Sequence, residues 1–140
     1  MCGINGILGQ LEPSQSRRSV EFMNQKMAHR GPDADGLFQS GKATLGHRRL
    51  SIIDLDIRGN QPMHSVDGRY SIVFNGEIYN YKQLYKSMNI APKTDSDCEI
   101  IIHLYQRYGI EHTLTMLDGV YGFILCDIKL NKIFVARDPM

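Results

Sequence analysis

The sequence predicts a mixed α+β domain whose strands pair antiparallel through hairpins rather than through βαβ units. Three observations predict it. Residues 120–128 and 132–136 are β-forming runs separated only by the turn at 129–131. Residues 97–108 place Ile100, Ile101, Leu104 and Tyr108 on one helical stripe that Gly109 closes. The 140 residues carry no repeat and no low-complexity linker, which suits one domain, 1–140, with a real core.

From the start of the chain, residues 1–9 mix small and apolar positions and predict a first strand. Residues 16–29 carry Val20, Met23 and Met27 at helical spacing, and Arg30-Gly31-Pro32-Asp33 stops that helix. Asp33-Ala34-Asp35-Gly36 reads as a turn. It lacks the further acidic ligands and the terminal Glu of a calcium loop. Residues 43–53 predict a strand, or two strands with a bend near Arg48-Arg49, and a turn follows at 59–62. Residues 70–74 predict a short strand ending at Asn75-Gly76, and 79–88 a helix. Asp95 or Ser96 suits the N-cap of the helix at 97–108, with Glu99 favourable near its positive end. The chain stops at Arg137-Asp138-Pro139-Met140, directly after a predicted strand, so it reads as interrupted.

Composition narrows the function classes. A net charge of +1 gives no field toward nucleic acid or anionic lipid, and no apolar run is long enough to span a bilayer. The start MCGINGILGQ lacks the basic head of a signal peptide. Cys2, Cys98 and Cys126 are odd in number and widely spaced, which suits free thiols in a reducing, cytoplasmic compartment. His29, His47, His64, His103 and His112 show no metal-ligand spacing, and no nucleotide-binding glycine motif is present.

Cys2 carries the sharpest chemistry. Once Met1 is removed, an α-amine of reference pKa ~7.8 stands beside a thiol of ~8.5, so one residue supplies base and nucleophile. By position alone, an inert second-residue cysteine is the more economical reading. A thiol attacking an amide needs oxyanion donors, and Asn75-Gly76 after a strand offers a side-chain amide and a backbone N–H. The same dipeptide alone favours a hairpin turn. Arg48-Arg49 includes a guanidinium suited to a carboxylate fork, though such pairs are more often solvated. Asp97, with Glu77, suits a substrate ammonium; the plainer role of Asp97 is to satisfy donors at a helix start.

The order of these blocks is more specific than any one of them. Met1-Cys2-Gly3-Ile4, His29-Arg30-Gly31-Pro32-Asp33, Arg49-Leu50-Ser51-Ile52-Ile53-Asp54, Gln61-Pro62, Asn75-Gly76-Glu77-Ile78-Tyr79-Asn80, Ser96-Asp97-Cys98-Glu99 and Leu117 to Phe123, closed by Arg137-Asp138, run in register along nearly the whole chain. The series resembles the class II glutamine amidotransferase domain, in the branch of glutamine-hydrolysing asparagine synthetases.

That resemblance implies a four-layer αββα sandwich of the N-terminal nucleophile hydrolase type, C-terminally incomplete, with the synthetase domain absent. It implies that Cys2 attacks the side-chain amide of L-glutamine to form a thioester and release ammonia. Asn75 and Gly76 would form the oxyanion hole and Arg49 would hold the α-carboxylate. Glu77 and Asp97 would hold the α-ammonium, and Leu50, Ser51, Ile52 and Ile53 would line the pocket. It implies no cofactor for the glutaminase half. ATP and Mg belong to the absent synthetase domain, the expected receiver of ammonia. A non-catalytic remnant or glutamine-binding module is the alternative, and a thiol hydrolase for another amide a third reading.

Overall fold

The structure, a computed structural model, describes residues 1–52 and 55–140. Among these, the elements in order are β1 (Gly3–Leu8), α1 (Pro13–Lys26), β2 (Ala34–Ser40), β3 (Ala43–Arg49), a 3-10 turn (Ile57–Gly59), β4 (Met63–His64), β5 (Tyr70–Ile78), α2 (Tyr81–Met88), α3 (Glu99–Tyr108), α4 (Ile110–Met116), β6 (Gly119–Asp127) and β7 (Lys132–Arg137). The strands form two sheets, ordered β1-β3-β2 and β4-β5-β6-β7, with antiparallel pairing throughout. The expected α+β class with antiparallel strands is what the chain adopts.

Strand alternation assigns the faces. Ile4, Phe38, Ala43 and Leu45 of the first sheet meet Val73, Ile124 and Cys126 of the second in one apolar cluster. The first sheet's other face takes α1, with Val20 and Asn24 lying against Gly46. Asn24 is buried there because it is satisfied: it accepts from Asn5 Nδ2 at 2.7 Å and donates to the Gly36 carbonyl at 3.0 Å. The second sheet's other face carries Ile72, Phe74, Ile78, Phe123 and Leu125 against Leu84, Ile100, Ile101 and Leu104 of α2 and α3. Each such fully buried aliphatic side chain contributes roughly 1.5–3 kcal/mol.

Several expectations are corrected. Residues 33–36 are not simply a turn. Ala34 already pairs with Arg49, and cross-strand hydrogen bonds to β3 override the local Asp/Gly composition. β5 does not end at Asn75-Gly76, because Asn75 pairs with Gly122 and Gly76 with Tyr121. In α3 it is Tyr105 that turns inward, its hydroxyl donating to Asp127 at 2.9 Å, while Tyr108 is left exposed. The first helix stops at Lys26, earlier than expected, and α4 arises where no helix was foreseen.

His47 ties the sheets together. It lies on β3, is fully buried, and its Nε2 stands 3.1 Å from the Phe74 carbonyl on β5. A carbonyl can only accept, so the proton sits on Nε2. Burial, aided by the Arg49 charge and opposed by the Phe74 bond, pushes the imidazole from 6.5 down to about 4. The unfolded chain therefore takes up this proton first. Stability falls as pH drops from about 6.5 to about 4, by roughly 3 kcal/mol in all. The urea midpoint is expected to fall between pH 7.5 and pH 5, and to fall much less in His47→Gln, which keeps a donor but does not titrate. A wild-type midpoint that stays level over this range would refute the account.

Candidate active site

The register of β1 on β3 sets the site. Gly3 pairs with Arg48, so Cys2 comes level with Arg49 and Leu50 at the end of the sheet. The Leu50 N–H donates to Cys2 Sγ at 3.3 Å, and Arg30 Nε donates to the Cys2 carbonyl at 3.3 Å. A methyl group on Gly3 would meet the Met27 side chain at 3.1 Å. The small residue beside Cys2 thus leaves room for the Met27 side chain at the end of α1.

The arginine pair divides by face. Arg48 Nε donates to the Gly31 carbonyl at 2.9 Å, with Asp35 3.8 Å away. Arg49 turns inward and is buried. Its Nη1 donates to the Asp56 carbonyl at 2.8 Å and to Asn60 Oδ1. Two acceptors from one loop therefore fix this guanidinium before any ligand arrives.

One edge of β5 forms the opposite wall. In an antiparallel strand every second residue directs its N–H and C=O to the same side. Along this side the Tyr70 N–H donates to Ser65 Oγ at 2.9 Å, and Ile72 pairs with Met63. The Phe74 N–H donates to Gln61 Oε1 at 2.5 Å, and the Ile78 N–H to Asp97 Oδ2 at 2.6 Å. Gly76 is the remaining position in that row, and it lines a cavity. Its φ is +146°, and an added Cβ would stand 2.1 Å from the Val120 carbonyl.

Asp97 sits just ahead of α3 with its carboxylate buried. Burial is the main force raising its carboxyl above the ordinary value, opposed by the Ile78 amide. Glu99, the first residue of α3, fixes the chain before it. It accepts from the Lys93 and Thr94 amides at 3.0 and 2.8 Å, from Thr94 Oγ1 at 2.7 Å and from His103. Burial would raise the Glu99 carboxyl, but these donors prevail and hold it down to about 2.

These groups surround one cavity of about 810 Å³ at the end of the two sheets. Cys2, Arg49, Leu50, Ile52, Asn75, Gly76, Glu77 and Asp97 all line it. Ser51 is not among its lining residues; its amide donates to Asp33 Oδ2 at 2.7 Å. Ile53 lies outside the described residues. Sequence reasoning gave Asn60 and Gln61 no place in the site: it read both as turn formers and Gln61-Pro62 also as one of the ordered blocks, although two side-chain amides before a proline are a ready supply of acceptors. Among the described residues, no three His, Cys, Asp or Glu side chains are arranged to hold a metal ion. No described helix is long and apolar enough to cross a membrane.

Comparison with known proteins adds family context. A family model described as "Glutamine amidotransferase domain" matches residues 1–140. The chain is 44% identical to asparagine synthetase [glutamine-hydrolyzing] 1 of Arabidopsis thaliana and 44% identical to the corresponding synthetase of Brassica oleracea. Each alignment covers 100% of this chain and 24% of the relative. The chain therefore spans about a quarter of the length of these curated relatives. In fold it is similar to glutamine phosphoribosylpyrophosphate amidotransferase from B. subtilis, solved with ADP and GMP. The TM-score is 0.73 at 24% identity, over 97% of this chain and 37% of that one.

The backbone at Gly76 generates a stability prediction. Gly76→Ala forces a Cβ onto the Val120 carbonyl at an unfavourable φ and is expected to destabilise the fold by on the order of 3 kcal/mol. Asn75→Ala, on the same strand but without that clash, is expected to stay within about 1 kcal/mol of the parent. Denaturant titration of both variants checks the contrast.

Proposed function

The chain belongs to the class II glutamine amidotransferase domain family, and on that premise we propose that it hydrolyses L-glutamine to glutamate and ammonia through a thioester on Cys2. The observation that carries this reading is the convergence of thiol, buried guanidinium, buried carboxylate and the β5 edge on one cavity. The fold is read as the N-terminal nucleophile hydrolase type, helices enclosing two facing sheets.

The mechanism follows from the placements. With Met1 removed, the Cys2 α-amine takes the thiol proton and Sγ attacks the side-chain carbon of glutamine. The Leu50 N–H at 3.3 Å supports negative charge on the sulfur. As the C–O bond polarises, the Asn75 side-chain amide and the Gly76 N–H meet the oxyanion, each donor being worth up to ~3–4 kcal/mol of barrier. The α-ammonium then returns the proton to the departing nitrogen, releasing ammonia, and water cleaves the thioester to glutamate. Arg49 grips the substrate α-carboxylate. Asp97 with Glu77 receives the α-ammonium, whose charge offsets the cost of ionising a buried carboxyl. Leu50 and Ile52 face the aliphatic stem. The chemistry uses a thiol, an amine and water, with no cofactor. In a longer protein, a synthetase domain with ATP and Mg would consume the ammonia.

Intact mass before and after exposure to a diazo-ketone glutamine analogue tests the reading. Loss of Met1 and a single adduct on Cys2 are the expected result. A mature protein that stays unlabelled and does not turn over glutamine would overturn it; binding without turnover would leave a glutamine-binding module. Arg49→Lys is expected to raise KM for glutamine by about tenfold or more, because the ammonium loses the fork. Asn75→Ala is expected to lower kcat by roughly 10²-fold or more. Steady-state ammonia release separates the two effects.

A further inference from the structure

We propose that Gln61 is a positioning residue: together with His47 it holds the Phe74 main chain by its N–H and its carbonyl and so sets the Asn75–Gly76 donors against Cys2. The inference rests on the glutaminase reading above. It starts from a shortage of backbone partners. β4 contributes only Met63 and His64, pairing with Ile72 and Ser71, so regular pairing on that edge stops before the site begins. The next peptide in the row, Phe74, is held by side chains instead. Gln61 Oε1 accepts its N–H at 2.5 Å, and the His47 Nε2–H donates to its carbonyl at 3.1 Å. Asn75 and Gly76 follow immediately.

The Gln61 side chain is itself held in place. The Gln61 carbonyl lies so close to Gly36 of β2 that a Cβ there would stand 1.9 Å from it. Its main chain is thereby pressed on the first sheet while its side chain reaches the second. His47 makes the same crossing from β3, where it pairs with Ile4, two residues from Cys2. Both ties therefore run from the sheet that carries the nucleophile to the strand that carries the oxyanion donors. Gln61 borders the cavity, and its acceptor is committed to Phe74, so that bond acts through the donors.

The test compares mature protein, its Cys2 terminus verified by mass, with Gln61→Leu and Gln61→Glu. Leucine removes the acceptor, whereas glutamate restores one. Each protein is assayed for glutamine turnover and for alkylation of Cys2 by iodoacetamide, which reacts at a tetrahedral carbon and forms no oxyanion. Gln61→Leu is expected to lose about tenfold or more in kcat with KM and alkylation rate within about twofold, and Gln61→Glu to recover most of the loss. Should the leucine variant fail to fold, Gln61→Met, whose thioether is only a weak acceptor, takes its place. A leucine or methionine variant with parental kcat overturns the positioning role. Equal losses in turnover and alkylation also overturn it, since they report general disorder. An inactive parent overturns the glutaminase reading, and this role with it, and is recognised by the parent's own silence.

Discussion

The hydrogen bond from the buried His47 imidazole to the Phe74 carbonyl links the two halves of the molecule at the level of the site. Apolar contacts among Leu45, Val73 and Ile124 hold the sheets together, but such contacts are non-directional and permit small slides. A directed bond at 3.1 Å does not. Because Cys2 adjoins one sheet and Asn75 lies in the other, the separation of the Cys2 thiol from the Asn75 and Gly76 amides is a property of sheet stacking. That stacking is fixed where the bond is made. The cost is a buried ring that must stay neutral, which ties the integrity of the site to the proton concentration outside it.

The second constraint is the two-residue period of a strand. Arg48 and Arg49 are chemically alike and adjacent, yet one holds a loop carbonyl on the outside and the other enters the cavity. The same alternation sends Val73 toward the first sheet and Phe74 toward the helices. A one-residue slip of β3 against β1 would exchange the two arginines and move Cys2 away from Leu50. The packing of α1 guards against that slip, because the close fit of Val20 and Asn24 over Gly46 holds in one register alone.

Much of this was legible in the sequence. The β6–β7 hairpin, α3 and the ordered blocks carrying Cys2, Arg49, Asn75, Gly76 and Asp97 were visible because their signals are local, or because their order is specific. What escaped was decided by distant partners. Asn75-Gly76 has the composition of a turn, but pairing with Tyr121 and Gly122 keeps it in a strand. Tyr105 and Tyr108 fit a helical stripe comparably; the carboxylate of Asp127, 22 residues from Tyr105 along the chain, selects Tyr105. Asn24 carries no apolar signal and is buried on the strength of two hydrogen bonds. Asn60 and Gln61 looked like turn formers, and their acceptors serve the Arg49 guanidinium and the Phe74 amide.

The open place at Gly76 in the β5 row has a consequence for how such a site is read by genetics. An acceptor placed there would complete a ladder of backbone bonds, in the place of a strand that β4 is too short to provide. A main-chain donor cannot be deleted by exchanging a side chain. A saturation scan would score Gly76 as intolerant because of the Val120 carbonyl beside it, and would file it with the packing positions. Residues that merely steer the peptide would give the graded activity losses usually credited to chemistry. In such a map the main-chain group that faces the cavity would be the least visible, and its supports would take its place.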